Sequence, residues 1–279
     1  TGLVTAEKLI DIIKRLDTTR PVTQAICFFW DNPGTKWDAS AKAFALLDVG
    51  GYNYQMTVYK SDHEKYPKRI MMGTESFPKL SLENWDLVEQ LPYLIGDFVW
   101  TAFDYMGEAS IGHSYLNSKS EDKFSLGWPW YNAWCGDIDI IGNKKPQSYY
   151  RDVVWRISPV TMAVHMPIPD GLKEVTSLWG WRDELQSWTW PGAEGKLMEV
   201  CVFSRSSLVR LKLNDKIVGE QPIADGSITA VFKVTYEPGV LKAINIKDGI
   251  ETDSVEFSTA GSPKFIQLTA DRKVINVSR

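Results

Sequence analysis

Residues 70–76 read Ile-Met-Met-Gly-Thr-Glu-Ser, an apolar run that ends in a carboxylate, Glu75. The following apolar run, Leu94-Ile95-Gly96-Asp97-Phe98-Val99-Trp100, ends in a tryptophan. A charged group at the C-terminal tip of a buried strand is where a β/α barrel carries its chemistry. An aromatic ring at the neighbouring tip offers an apolar face to the C–H face of a pyranose. Together they point to hydrolysis at a sugar. Retaining glycosidases hold two carboxyl groups about 5–5.5 Å apart, one as nucleophile and one as acid/base. Glu75 suits the nucleophile, and pattern alone weighs that evenly against an ordinary solvated loop carboxylate. No second carboxylate stands at an equivalent strand tip.

Asn53 and Tyr54 close the apolar run before Glu75. A tyrosine hydroxyl beside a nucleophilic carboxylate donates to it and holds it ionised and oriented. Tyr54 is preferred to Tyr52, which lies deeper in the strand. Asp104 and Glu108 follow Trp100 on one loop and either could bind a sugar hydroxyl, although hydrogen bonding within the loop explains them as well. Trp128, Trp130, Tyr131 and Trp134 decorate the same long loop, either to shape a leaving-group subsite or to pack the loop. Trp179, Trp181, Trp188 and Trp190 form a later aromatic cluster. Packing is the preferred reading of that cluster over a carbohydrate-binding face.

These residues need elements to hold them. Leu9, Ile12, Ile13 and Leu16 recur at helical spacing and predict a helix over 6–16 with Thr5 as its cap. Buried strands are expected at 22–29, 47–54, 69–74 and 94–101, separated by helices at 39–46, 62–66 and 82–91. Alternation of this kind implies a parallel sheet with right-handed crossovers. Residues 106–146 read as one irregular loop, long enough to be functional, and 147–155 as a closing helix. After Pro159 the pattern changes to short alternating strands at 161–166, 185–190, 197–204, 209–214, 228–235, 241–247 and 252–258. Turn pairs such as Asn214-Asp215 and Asp248-Gly249 separate many of them, as in an immunoglobulin-like β-sandwich. The expected units are 1–158, 159–262 and the start of a further one at 263–279.

Composition excludes several classes. The 279 residues are 44% hydrophobic and 24% charged, with net charge −4 and no basic block of the kind nucleic acid demands. No apolar run is long enough to cross a bilayer as a helix. Thr1–Val4 leads directly into a charged helix rather than a signal peptide, so if the parent protein is exported its signal is expected outside this chain. Cys27, Cys135 and Cys201 make no metal spacing and no disulfide framework. His63, His113 and His165 stand apart from any ligand-like neighbour, so neither metal nor cofactor is expected.

Several stretches together resemble glycoside hydrolase family 2, the β-galactosidase and β-glucuronidase group. They are Leu16–Thr23, Asp48–Tyr54, Gly73–Ser76, Gly96–Thr101 with Asp104–Glu108, Gly136–Asp139 with Lys145–Arg151, and Val209–Gly219. The resemblance covers essentially the whole chain. It implies strands five to eight of a TIM (β/α)8 barrel, the C-terminal half, followed by the sandwich. It places the nucleophile on Glu75 and substrate contacts on Asn53, Tyr54, Trp100, Asp104 and Glu108. The family's acid/base is a Glu preceded by Asn, and this sequence contains no Asn-Glu pair. The chain is therefore expected to be inactive alone, a fragment of a retaining β-glycosidase acting on β-galactosides or related glycosides. A carbohydrate-binding or scaffold fragment is the alternative. The sequence does not fix a compartment, and the resemblance is compatible with a periplasmic or secreted parent. An open half-barrel edge would pair with another chain, so a homodimer is also expected.

Overall fold

The computed structural model describes residues 2–117 and 130–274. Helix α1 (Gly2–Leu16) opens the chain. Strands β1 (Thr23–Ile26), β2 (Val49–Asn53), β3 (Met71–Ser76) and β4 (Leu94–Val99) form one sheet in that order, all parallel. Between them run α2 (Ala41–Phe44), α3 (Tyr59–Lys65) and α4 (Ser81–Gln90). Apolar side chains from the strands meet these helices in one cluster around Tyr52, Tyr59, Met71 and Leu94, with Phe44 and Ile26. Gly73 is required there: a β-carbon on it would lie 2.4 Å from Asp97 Oδ1. Asp97 is thereby tucked over β3, where the Ser76 hydroxyl donates to it at 2.7 Å.

Three of the four strands fall inside the stretches that predict them, and β3 runs two residues past its expected end, through Glu75 to Ser76. The helices differ more. The first begins at Gly2, so Thr5 lies within it and is not its cap. Only Ala6 of that helix is buried, and Leu9, Ile12, Ile13 and Leu16 remain exposed. The second shrinks to a 3-10 turn (Trp37–Ser40) and a single α-helical turn.

The expected loop 106–146 carries short strands β5 (Tyr105–Met106), β6 (Ser114–Asn117) and β7 (Asn132–Ala133). β5 pairs with β7. α5 (Pro146–Val154) follows, and then two antiparallel sheets. The first comprises β8 (Val160–His165), β10 (Glu184–Leu185), β11 (Leu197–Ser204) and β14 (Thr229–Thr235), in the order β10-β8-β11-β14. The second comprises β12 (Leu208–Leu213), β13 (Lys216–Pro222), β15 (Val240–Lys247) and β16 (Ile250–Ser258), in the order β13-β12-β15-β16. Their facing sides share a core of Met162, Val164, Trp188, Val200, Leu211, Phe232 and Leu241. β9 (Lys173–Thr176) leaves this unit to pair with β6. A second cluster fastens α4 and α5 to the first sheet through Leu82, Tyr150, Val153, Ala163, Phe203 and Ile228.

The strand expected at 185–190 survives only as Glu184–Leu185. Beyond it the chain turns Trp188 and Trp190 into the core, and the Trp190 amide bonds to the Tyr236 hydroxyl instead of a neighbouring strand. Residues 263–274 form neither helix nor strand. Ser204 ties the two sheets together: it is fully buried, donates to Asn245 Oδ1 at 2.6 Å and accepts from the Ser206 amide at 2.9 Å. Ser204→Ala removes both bonds inside the core. It is expected to cost about 1–3 kcal/mol, read from the denaturant midpoint.

Candidate functional site

The C-terminal tips of the four parallel strands bring together residues distant in sequence. Asn53, the last residue of β2, pairs with Glu75 near the end of β3. The Tyr54 amide donates to the Glu75 carbonyl at 2.8 Å, and the Trp100 amide to the Ser76 carbonyl at 2.9 Å. Adjacent strands lie about 4.8 Å apart, so Tyr54, Glu75 and Trp100 occupy three successive tips. Cys27 occupies the fourth, just past β1. Burial raises its thiol pKa, and the nearby Glu75 charge raises it further.

Glu75 is half-buried. The Tyr54 hydroxyl lies beside its carboxylate, close enough for Glu75 to raise the Tyr54 pKa. That hydroxyl also accepts the Trp179 indole N–H at 2.8 Å. Burial pushes the Tyr54 pKa well up, Trp179 opposes the shift and Glu75 adds to it, so the phenol keeps its proton. Tyr54 adopts φ 56°, a left-handed conformation that bulky residues rarely enter. Its ring stacks on Phe77 at 4.4 Å and lies near Trp30 at 6.3 Å, with Trp179 edge-on at 6.1 Å. Tyr52, by contrast, is fully buried on the helix side and donates to Asp62 at 3.0 Å. The structure therefore brings Tyr54, not Tyr52, to Glu75.

Asn53 is buried and accepts from Thr74 Oγ1 at 2.7 Å. Trp100 is half-buried, and its indole donates to the Tyr105 hydroxyl at 3.1 Å. The Tyr105 hydroxyl in turn donates to Glu108. Glu108 is exposed on the loop and so remains near Trp100 through this relay. Asp104 does not fit a sugar contact. Its side chain is fully buried, pairs with Lys145 Nζ at 2.8 Å and accepts the Gly136 amide at 2.8 Å. Burial raises its pKa, and Lys145 opposes that rise. Gly136 allows the approach, since a β-carbon there would lie 2.1 Å from the Asp104 amide nitrogen. The acids around this end are thus committed elsewhere: Asp97 to Ser76, Asp104 to Lys145 and Glu108 to Tyr105.

The aromatic loop divides. Trp128 lies outside the described residues. Trp130 and Trp134 pack around His113, with ring centroids at 3.4 and 5.4 Å, and Lys145 sits 4.2 Å over the Trp134 ring. Burial lowers the His113 pKa to about 4, which keeps the imidazole neutral in this packing. Tyr131 is exposed. The later tryptophans do not form one cluster. Trp188 and Trp190 fill the sandwich core, and Trp181 joins the α4–α5 contact. Trp179 alone reaches the strand tips. Trp30, Phe77 and Trp179 are the site residues that sequence patterns miss. Trp30 lies four residues past β1 with its ring exposed, and its sequence signal is its place directly after the expected strand 22–29.

Glu75 thus stands at a parallel-strand tip beside a tyrosine hydroxyl and among aromatic rings. Comparison with known proteins narrows its reading. Residues 195–253 match a family described as a domain of unknown function, DUF4982. The chain is 26% identical to the β-galactosidase BoGH2A of Bacteroides ovatus, over 96% of this chain and 32% of that protein. It is 27% identical to a putative β-glucuronidase of Formosa agariphila, over 66% of this chain and 15% of that protein. A glycosyl hydrolase family 2 member from Bacteroides cellulosilyticus superposes with a TM-score of 0.81 at 35% identity, over 97% of this chain and 34% of that one. The chain belongs to glycoside hydrolase family 2. It spans about a third of the length of the B. ovatus and B. cellulosilyticus relatives.

Proposed function

We propose that this chain carries the nucleophile of a retaining β-glycosidase, β-galactosidase-like in substrate class, with Glu75 as the attacking group. The observation that carries the reading is the Tyr54 hydroxyl standing beside Glu75 at adjacent parallel-strand tips. A Glu75 oxygen attacks the anomeric carbon as the glycosidic C–O bond breaks, and the leaving oxygen takes a proton from a general acid. Water then releases the sugar from the glycosyl ester. The resemblance implies an acid/base Glu preceded by Asn, a pair this sequence does not contain, so in this reading the acid/base lies outside these 279 residues.

In this reading the parallel sheet is half of a (β/α)8 barrel over residues 1–158, and 159–262 are an immunoglobulin-like sandwich. Exposed Ile70, Ile95 and Phe98 are then covered by the remaining barrel strands, a second copy of the chain being the other possible cover. Trp100 and Trp30 supply ring faces for the sugar, while Asn53 and Glu108 lie within its reach. The alternative, a carbohydrate-binding face on the sandwich, is disfavoured because Trp188 and Trp190 are buried in its core.

The test is covalent trapping. The full-length protein is incubated with a 2-deoxy-2-fluoro-β-galactoside bearing a good leaving group, then digested and mapped by mass spectrometry. The label is expected on the peptide containing Glu75. A label on another carboxylate would displace the assignment.

A further inference from the structure

We propose that Trp179, on the segment between β9 and β10, is a positioning residue that aims the Tyr54 hydroxyl at Glu75. The inference rests on the reading of Glu75 as nucleophile. A tyrosine hydroxyl has one proton to give and two lone pairs to accept with. Free to rotate, it could point that proton away from Glu75. The Trp179 indole N–H is a donor only, and at 2.8 Å it fills one lone pair of the Tyr54 oxygen. The hydroxyl cannot donate back to it, so the proton is directed to the Glu75 carboxylate, which only accepts.

Trp179 is placed to do this from a firm support. Phe77, two residues past Glu75, packs edge-on against its ring at 5.5 Å and stacks on Tyr54 at 4.4 Å. Next to it, Gly180 packs against the Gly112 carbonyl so closely that a β-carbon would sit 2.7 Å away. Lys79 donates to the Ser177 carbonyl at 2.8 Å, and Ser114 to the Trp181 carbonyl at 2.6 Å. β9 itself is paired with β6. The segment is thus held at several points, and it connects the antiparallel sheets to the strand tips. Orientation of the nucleophile therefore depends on a residue outside the parallel-sheet unit.

The test is a double-mutant cycle in the full-length protein. Trp179→Phe keeps a ring and deletes the donor. It is expected to lower kcat about five-fold, roughly one neutral hydrogen bond, with KM little changed. In a Tyr54→Phe background the same substitution is expected to have less than a two-fold effect, because no hydroxyl remains to orient. A Trp179→Phe loss equally large in both backgrounds, or no loss in the first, overturns the inference. Glu75→Gln runs alongside: if that variant keeps its activity, the nucleophile reading has failed, independently of Trp179. A pure loss of stability would appear in the melting temperature and in both backgrounds alike.

Discussion

Glu75→Gln in the full-length protein is expected to reduce turnover of an unactivated β-galactoside by several orders of magnitude while leaving the melting temperature unchanged. The substitution keeps size and a hydrogen-bonding group opposite Tyr54. It removes the charge that attacks the anomeric carbon, and a covalent route without its nucleophile is closed. Tyr54→Phe is expected to cost less, about 10–100-fold, since it removes the hydroxyl that in this reading donates to the Glu75 carboxylate. Glu108→Gln should lie lower still, because Glu108 reaches the site only through the Tyr105 hydroxyl. The ranking is the measurement, made from kcat/KM on one substrate. If Glu75→Gln retained most of the parent rate while Glu108→Gln abolished it, the nucleophile would be misassigned.

The strand tips were legible because two strong local signals coincide there. An apolar run of β-forming residues fixes a strand, and its last polar or aromatic residue fixes what stands at the end. Glu75, Tyr54 and Trp100 all follow that rule. β11 occupies the same residues, Leu197–Ser204, that its run predicts. β13 had no such signal: it is an edge strand of the second sheet, and Ile217 and Val218 are exposed, so its residues never alternate between core and water. The Asn214-Asp215 turn before it was legible, and both residues take positive φ there. Trp179 was not legible. Its partner Tyr54 lies 125 residues away, and nothing in the run 177–183 records a contact at that range. Asp104, for which a sugar contact and hydrogen bonding within the loop were both open, takes the second role for a related reason. Its position on the loop after Trp100 is that of a sugar ligand, whereas its partner Lys145, 41 residues on, turns it inward.

That buried pair carries the second large effect. Lys145→Met is expected to destabilise the protein by about 3–5 kcal/mol, because it leaves the Asp104 carboxylate buried without a counter-charge. The Asp104 side chain is fully buried and that of Lys145 nearly so, with 2.8 Å between charges. Desolvation raises the Asp104 pKa and lowers that of Lys145, so burial strains both charged forms and each depends on the other. Lys145 also donates to the Trp134 carbonyl at 2.8 Å, and Gln147 to the Gly136 carbonyl at 2.7 Å. Arg151 bonds Asp137 at 2.6 Å beside them. The network ties the loop bearing Trp100 and Glu108 to the start of α5. Asp104→Leu combined with Lys145→Met is expected to recover part of the loss, since replacing both members of a buried pair by apolar groups removes the unpaired charge. Recovery stays partial because the Gly136 amide and the Trp134 carbonyl lose their partners. Urea titrations of the two variants and the parent decide it: a Lys145→Met midpoint within error of the parent would mean that Asp104 reaches water and that this loop is not held as described.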